Sequence, residues 1–111
     1  MATQTVELPK TAISLPMEAI EAFCQKWGVT ELALFGSVLR DDFGPDSDVD
    51  VMVTFANPEK RYWGDVLDME DELAAAFGRP ADMVEKAGIL RGVNPLRIKK
   101  IVDSARVIYA R

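Results

Sequence analysis

Histidine is absent from the 111 residues, and cysteine occurs once, at Cys24. Without histidine, neither a Ser-His-Asp nor a Cys-His catalytic set can be assembled, and ordinary zinc sites are excluded. One cysteine forms no internal disulfide; Cys24 falls on the apolar side of a predicted helix and is expected in the core. Nor is there an unbroken apolar run of roughly eighteen residues, the length a bilayer-spanning helix needs. Met1 to Lys10 lacks a basic start followed by an apolar stretch, so no secretory signal is expected and the reading places the chain in the cytoplasm. Chemistry in such a chain has to run on carboxylates, hydroxyls and metal.

Basic residues are scarce over most of the chain and gathered at its end. Residues 1–85 carry seventeen acids and six bases, whereas 86–111 carry one acid, Asp103, and seven bases, so the net charge of −5 conceals parts of −11 and +6. An acidic chain repels a phosphate backbone, and the basic segment has no interleaved aromatics to stack bases, which argues against nucleic acid. Two readings stand for this segment. Arg97, Lys99 and Lys100 form the solvated face of a helix whose Leu96, Ile98 and Ile101 face inward, or they meet an acidic partner. With 49% apolar and 28% charged residues the composition is that of a globular protein. One domain over 1–111 is expected, with a real core but no room for a second, acceptor-binding domain.

What the chain does have is the run Gly36-Ser37-Val38-Leu39-Arg40 followed by Ser47-Asp48-Val49-Asp50-Val51-Met52-Val53. Gly36, lacking a Cβ, lets backbone approach a phosphate closely, and Ser37 adds a hydroxyl where a short helix would begin. Asp48 and Asp50 are two apart, so in a strand they point the same way while Val49, Val51 and Val53 point into the core. An acid inside an apolar run costs several kcal/mol, in round terms, if it is buried without a partner, and a divalent cation is such a partner. Mg²⁺ in particular is held by one or two carboxylates together with substrate phosphates. Taken alone, Gly36-Ser37 is a strand-to-helix turn with Ser37 as cap, and Asp48 a turn residue; joined, they read as a nucleotide site. Asp41, Asp42 and Asp46 read as solvated loop charges, and Arg40 either steadies the loop carboxylates or reaches a phosphate.

This pattern, Gly-Ser-x-x-Arg, an acidic loop, then Ser-Asp-x-Asp-x-x-Val, resembles the signature of the DNA polymerase beta-like nucleotidyltransferases. The resemblance spans about Glu31 to Glu85 and is closest to the minimal nucleotidyltransferases, several of which are antitoxins that transfer AMP onto a helical HEPN-type protein encoded beside them. It departs from the pattern at Asp41, where many members have glycine. It implies an α/β (α+β) fold, a small mixed sheet with helices mainly on one face. It also implies a third carboxylate from a neighbouring strand: Asp82, with Glu85 as runner-up. Asp48, Asp50 and Asp82 would then hold two Mg²⁺ ions, and Gly36, Ser37 and Arg40 would bind ATP. The implied activity is transfer of AMP to a partner's hydroxyl, tyrosine foremost. The alternative is a non-catalytic subunit that neutralises or positions a helical partner; transfer to a small molecule lacks an acceptor domain.

Hydrophobic spacing supplies the frame. Met17, Ile20, Phe23, Cys24 and Trp27 predict a helix closed by Gly28, followed by a strand over Glu31 to Phe35, a short helix around Val38 to Arg40, and a loop to Ser47. Val49 to Phe55 is the central strand, and Lys60 to Gly64 is a linker. Its Tyr62 and Trp63 either line the site entrance or cover the next helix. That helix, about Asp65 to Phe77, turns Val66, Leu67, Leu73 and Phe77 inward, and a strand over Ala81 to Glu85 follows. Gly88 to Val93 reads as a flexible connection, Asn94-Pro95 as cap and first helical turn, and a helix to Ser104 precedes a strand over Val107 to Tyr109.

Overall fold

Two apolar faces, one helical and one pleated, meet to form the core. The computed structural model describes residues 11, 13–39, 44, 47–57 and 65–111. Helix α1, Met17–Trp27, buries Ile20, Phe23 and Cys24 and stops at Gly28, whose φ of 71° only glycine adopts cheaply and whose N–H donates to the Cys24 carbonyl. Strand β1, Val29–Phe35, leads through a 3₁₀ turn, Gly36–Leu39, towards β2, Val49–Phe55. Helix α2, Val66–Phe77, and strand β3, Ala81–Glu85, follow; then come helices α3, Lys86–Leu90, and α4, Pro95–Ser104, and strand β4, Arg106–Ala110.

The sheet order is β3-β2-β1-β4, with β2 and β3 parallel and the other pairs antiparallel. Parallel neighbours need a crossover, which α2 provides. Val49, Val51, Val53 and Phe55 of β2 pack with Leu32 and Leu34 of β1 against Ile20, Phe23, Met69 and Leu73, so α1 and α2 cover one face. Lys26 and Trp27 Nε1 both reach the Glu72 carboxylate, at 3.0 and 3.1 Å, tying the two helices at the rim. The opposite face carries Asp50, Met52 and Thr54, and α3 lies across part of it, where Lys86 Nζ meets Glu31 at 3.4 Å. Among the described residues, no helix is long and apolar enough to cross a membrane.

Several local expectations need correction. Strand β1 begins at Val29, two residues early, because Val29 is itself fully buried against the core. Leu67 is 74% exposed, and Met69 takes the inward place beside Leu73, since position 67 lies nearly opposite them on a helical wheel. The segment expected to be a flexible connection instead opens with a helical turn, α3. A glycine inside a helix costs only about 1 kcal/mol against alanine, and Lys86, Ala87, Ile89 and Leu90 outweigh Gly88. Leu96 is 79% exposed rather than inward. Arg40, the acids Asp41, Asp42 and Asp46, and Lys60 to Gly64 with Tyr62 and Trp63 lie outside the described residues.

Candidate nucleotide and metal site

Two of the acids singled out in the sequence, Asp50 and Asp82, stand side by side at one end of the sheet. Asp50 lies in β2 directly opposite Asp82 in the parallel register with β3, and Asp48 stands two residues earlier in the chain. Register partners on adjacent strands point to the same face about 4.8 Å apart, so the Asp50 and Asp82 carboxylates project together from the face away from the core. Glu85, by contrast, pairs with Val53, three residues on, and so belongs to the opposite face. Asp48 and Asp82 are exposed and Asp50 is half-buried. Among the described residues no three acids, cysteines or histidines are gathered closely enough to hold a metal ion between them, so the pair Asp50 and Asp82 is what the register brings together. An ion there would draw its remaining ligands from a phosphate.

The turn after β1 closes the site from the other side. Phe35 is the antiparallel partner of Asp50, so the next residue, Gly36, arrives beside the Asp50 side chain. Its φ is +78°, and a Cβ built there would collide with Asp50 Oδ2. Glycine is therefore required twice over, by backbone conformation and by the carboxylate that occupies the space. Ser37 follows, half-buried, and Val38 plugs the turn into the core with no exposed surface.

Five hydrogen bonds that the sequence did not reveal hold these parts in place. Val49 N–H donates to the Pro80 carbonyl at 2.9 Å, fixing the start of β2 against the start of β3. Arg79 Nη1 donates to the carbonyls of Gly44 and Ser47, at 3.0 and 3.3 Å, and so clamps the segment leading into Asp48 from the residue pair that opens β3. Within that segment Ser47 Oγ accepts from Gly44 N–H at 3.0 Å. Glu70 of α2 accepts from Met83 N–H at 2.9 Å, satisfying an edge-strand donor beside Asp82. No spacing rule marks Arg79 or Glu70, because their partners lie more than ten residues away in sequence.

Comparisons with known proteins bear on the fold as a whole. A model of the nucleotidyltransferase domain matches residues 16–108. The chain is 30% identical over 78 residues, 70% of its length and 77% of the other's, to the protein adenylyltransferase MntA of Thermococcus cleftensis. In fold it is similar to a chain of a toxin-antitoxin crystal structure with AMP-PNP, with a TM-score of 0.65 at 18% identity over 85% of this chain and 73% of that one. It is also similar to a chain in the complex of tri-AMPylated Shewanella oneidensis HEPN toxin with MNT antitoxin, with a TM-score of 0.59 at 18% identity over 86% of this chain and 71% of that one.

Proposed function

The chain belongs to the nucleotidyltransferase domain family, and from that premise we propose that it transfers AMP from ATP to a hydroxyl, tyrosine foremost, on a separate helical HEPN-type protein, acting as its antitoxin in the cytoplasm. The observation that carries this reading is the register of Asp50 with Asp82, two carboxylates side by side with Asp48 ahead of them and a glycine turn held open by Asp50 itself. The MntA relative is a protein adenylyltransferase, which supports a protein as acceptor.

The donor type suits Mg²⁺: carboxylate oxygens are hard ligands, and Mg²⁺ is commonly held by one or two carboxylates with substrate phosphates completing its shell. Asp48, Asp50 and Asp82 would hold two such ions, which when bound polarise the acceptor hydroxyl and offset charge on the departing pyrophosphate. Gly36, by making room for the Asp50 carboxylate, brings the backbone of the turn up to the acids, and Ser37 offers the triphosphate a hydroxyl there. Arg40, on the same motif, is assigned to the phosphates as well. The acceptor oxygen bonds to the α-phosphorus as the bond from that phosphorus to the bridging oxygen breaks; the hydroxyl proton passes to solvent water and pyrophosphate leaves. A general-base histidine is not needed, which fits a chain with none.

Intact-mass measurement tests the proposal. The chain, a HEPN-type protein encoded beside its gene, ATP and Mg²⁺ should yield a partner heavier by whole AMP units, and Asp48→Asn should add none. A partner that binds tightly yet gains no mass in the wild-type reaction overturns it and leaves a non-catalytic binding subunit.

A further inference from the structure

We propose that the α3–α4 segment, residues 86–104, is the docking face for an acidic, apolar-striped helix of the acceptor protein, an inference that rests on the function proposed above. Neither α3 nor α4 contains a buried residue. Of the four large apolar side chains exposed among the described residues, Leu90, Val93 and Leu96 fall in this one stretch, Val93 at 99%. A hollow of about 320 Å³ between the two helices is lined by Ile89, Gly92, Ile98 and Ile101. Helix α4 has ten residues, capped by the Asn94 side chain, which accepts from Arg97 N–H at 3.2 Å. Isolated helices shorter than about 12–15 residues are marginal in water, and most helical stability comes from covering an apolar face. Within this chain that cover is incomplete.

Charge selects the occupant. Residues 86–111 are net +6, and their sole acid, Asp103, already binds Lys99 Nζ at 2.6 Å, so exposed Arg91, Arg97 and Lys100 present an unbalanced positive rim around the apolar side chains. A second copy meeting this face symmetrically would set these cations against themselves, and like-charge contact opposes such a pairing. An apolar stripe flanked by acids matches both features at once.

The position fits an acceptor. Leu90 shares a hollow with Thr30, Thr54 and Ala110 at the end of the sheet away from the glycine turn. Strand β4 starts at Arg106, opposite Leu34, one residue from the Phe35 that pairs with Asp50. Ser104, the last residue of α4, therefore lies at the same end of the sheet as Asp50, two residues before Arg106. A helix seated on α4 and reaching past its C-terminal end would bring its own hydroxyl to the sheet end that carries Asp50, converting a bimolecular encounter into a local one.

The test uses the full chain and the HEPN-type neighbour in three variants, Val93→Asp with Leu96→Asp, Arg97→Glu with Lys100→Glu, and Asp48→Asn, each checked for wild-type thermal stability. Affinity by calorimetry at low and moderate salt, and partner mass after incubation with ATP and Mg²⁺, are the readouts. The apolar double variant should bind about 30-fold more weakly, as loss of a hot spot does. The charge reversal should bind about tenfold more weakly, mainly through slower association, and should flatten the salt dependence. Both should retain direct binding of MgATP, whereas Asp48→Asn should keep the partner and lose transfer. Wild-type affinity in both patch variants overturns the docking face while leaving the transfer reaction intact, as does a wild-type chain that does not bind the neighbour at all. Loss of partner binding in the patch variants, with no transfer by the wild type, upholds the docking face and sinks the reaction. If the charge reversal abolishes binding to RNA or anionic vesicles and spares the partner, the patch serves a polyanion and the proposal fails.

Discussion

Replacing Gly36 by alanine would impose two separable costs. The backbone there has φ of +78°, and an alanine held in the left-handed region costs about 1–2 kcal/mol. For a chain of this size that corresponds to a fall in Tm of about 5–10 °C. The added Cβ would also collide with Asp50 Oδ2. Because that atom is the tip of a side chain, rotation relieves the clash at about 0.5–1.5 kcal/mol, but the rotation carries the carboxylate away from the position where it would meet a metal. Loss of one charged ligand interaction, about 1.5–3 kcal/mol, predicts roughly a ten- to hundredfold loss of MgATP affinity. Gly28→Ala is the control: its φ is +71°, with no atom within 4 Å of the added Cβ, so it bears the backbone cost alone. Urea unfolding and calorimetric MgATP titration of both variants separate the two effects. If Gly36→Ala matches Gly28→Ala in nucleotide affinity, the contact between the turn and Asp50 has no bearing on binding, and the reasoning fails.

Three further outcomes are expected. Arg79→Ala removes the donor to Gly44 and Ser47 and should cost about 1–3 kcal/mol of stability with about a tenfold loss of MgATP affinity, measured by the same two assays; unchanged affinity would mean that Asp48 holds its place without the clamp. If Asp82 mainly serves the ion that polarises the acceptor hydroxyl, Asp82→Asn should bind nucleotide nearly as the wild type does yet lose turnover about a hundredfold or more; pre-steady-state transfer against MgATP affinity makes the distinction. Burial pushes the Cys24 thiol from 9.0 up to about 12. The folded state thus keeps a proton that the unfolded state releases above about pH 9, so stability is fully present below that pH and falls as pH rises towards 12. The loss by about pH 10.5 is roughly 2 kcal/mol. Denaturant titrations across this range should show that slope in the wild type and lack it in Cys24→Ala.

Much of the frame could be read from local pattern. The alternation of Val49 to Phe55 and the helical recurrence of Ile20, Phe23 and Cys24 each follow from one element facing one core, and both stand where expected. Asn94 caps α4 as its position before Pro95 predicts. Hydrophobicity alone misassigned Leu67 and Leu96, because an apolar residue in a helix need not lie on its apolar stripe; both proved exposed. Gly88 and Gly92 disguised α3, since a glycine is a breaker only where nothing else favours the helix. In the site, strand alternation predicts Asp48 and Asp50 on one face, but the pairing of Asp50 with Asp82 depends on parallel register across a crossover, and the Arg79 clamp on contacts more than thirty residues apart. Such long-range pairings leave no periodic trace in the sequence.

The central claim is that Asp50 and Asp82, brought into register, serve a nucleotidyl rather than a phosphoryl transfer. Parallel incubations of the chain and its HEPN-type neighbour with ATP labelled on the α- or on the γ-phosphorus test it directly. The account predicts that the α-label becomes covalently fixed to the partner and that the γ-label leaves as pyrophosphate, with both signals abolished in Asp50→Asn. A γ-label retained on the partner, or α-label transfer that survives Asp50→Asn unchanged, would contradict it.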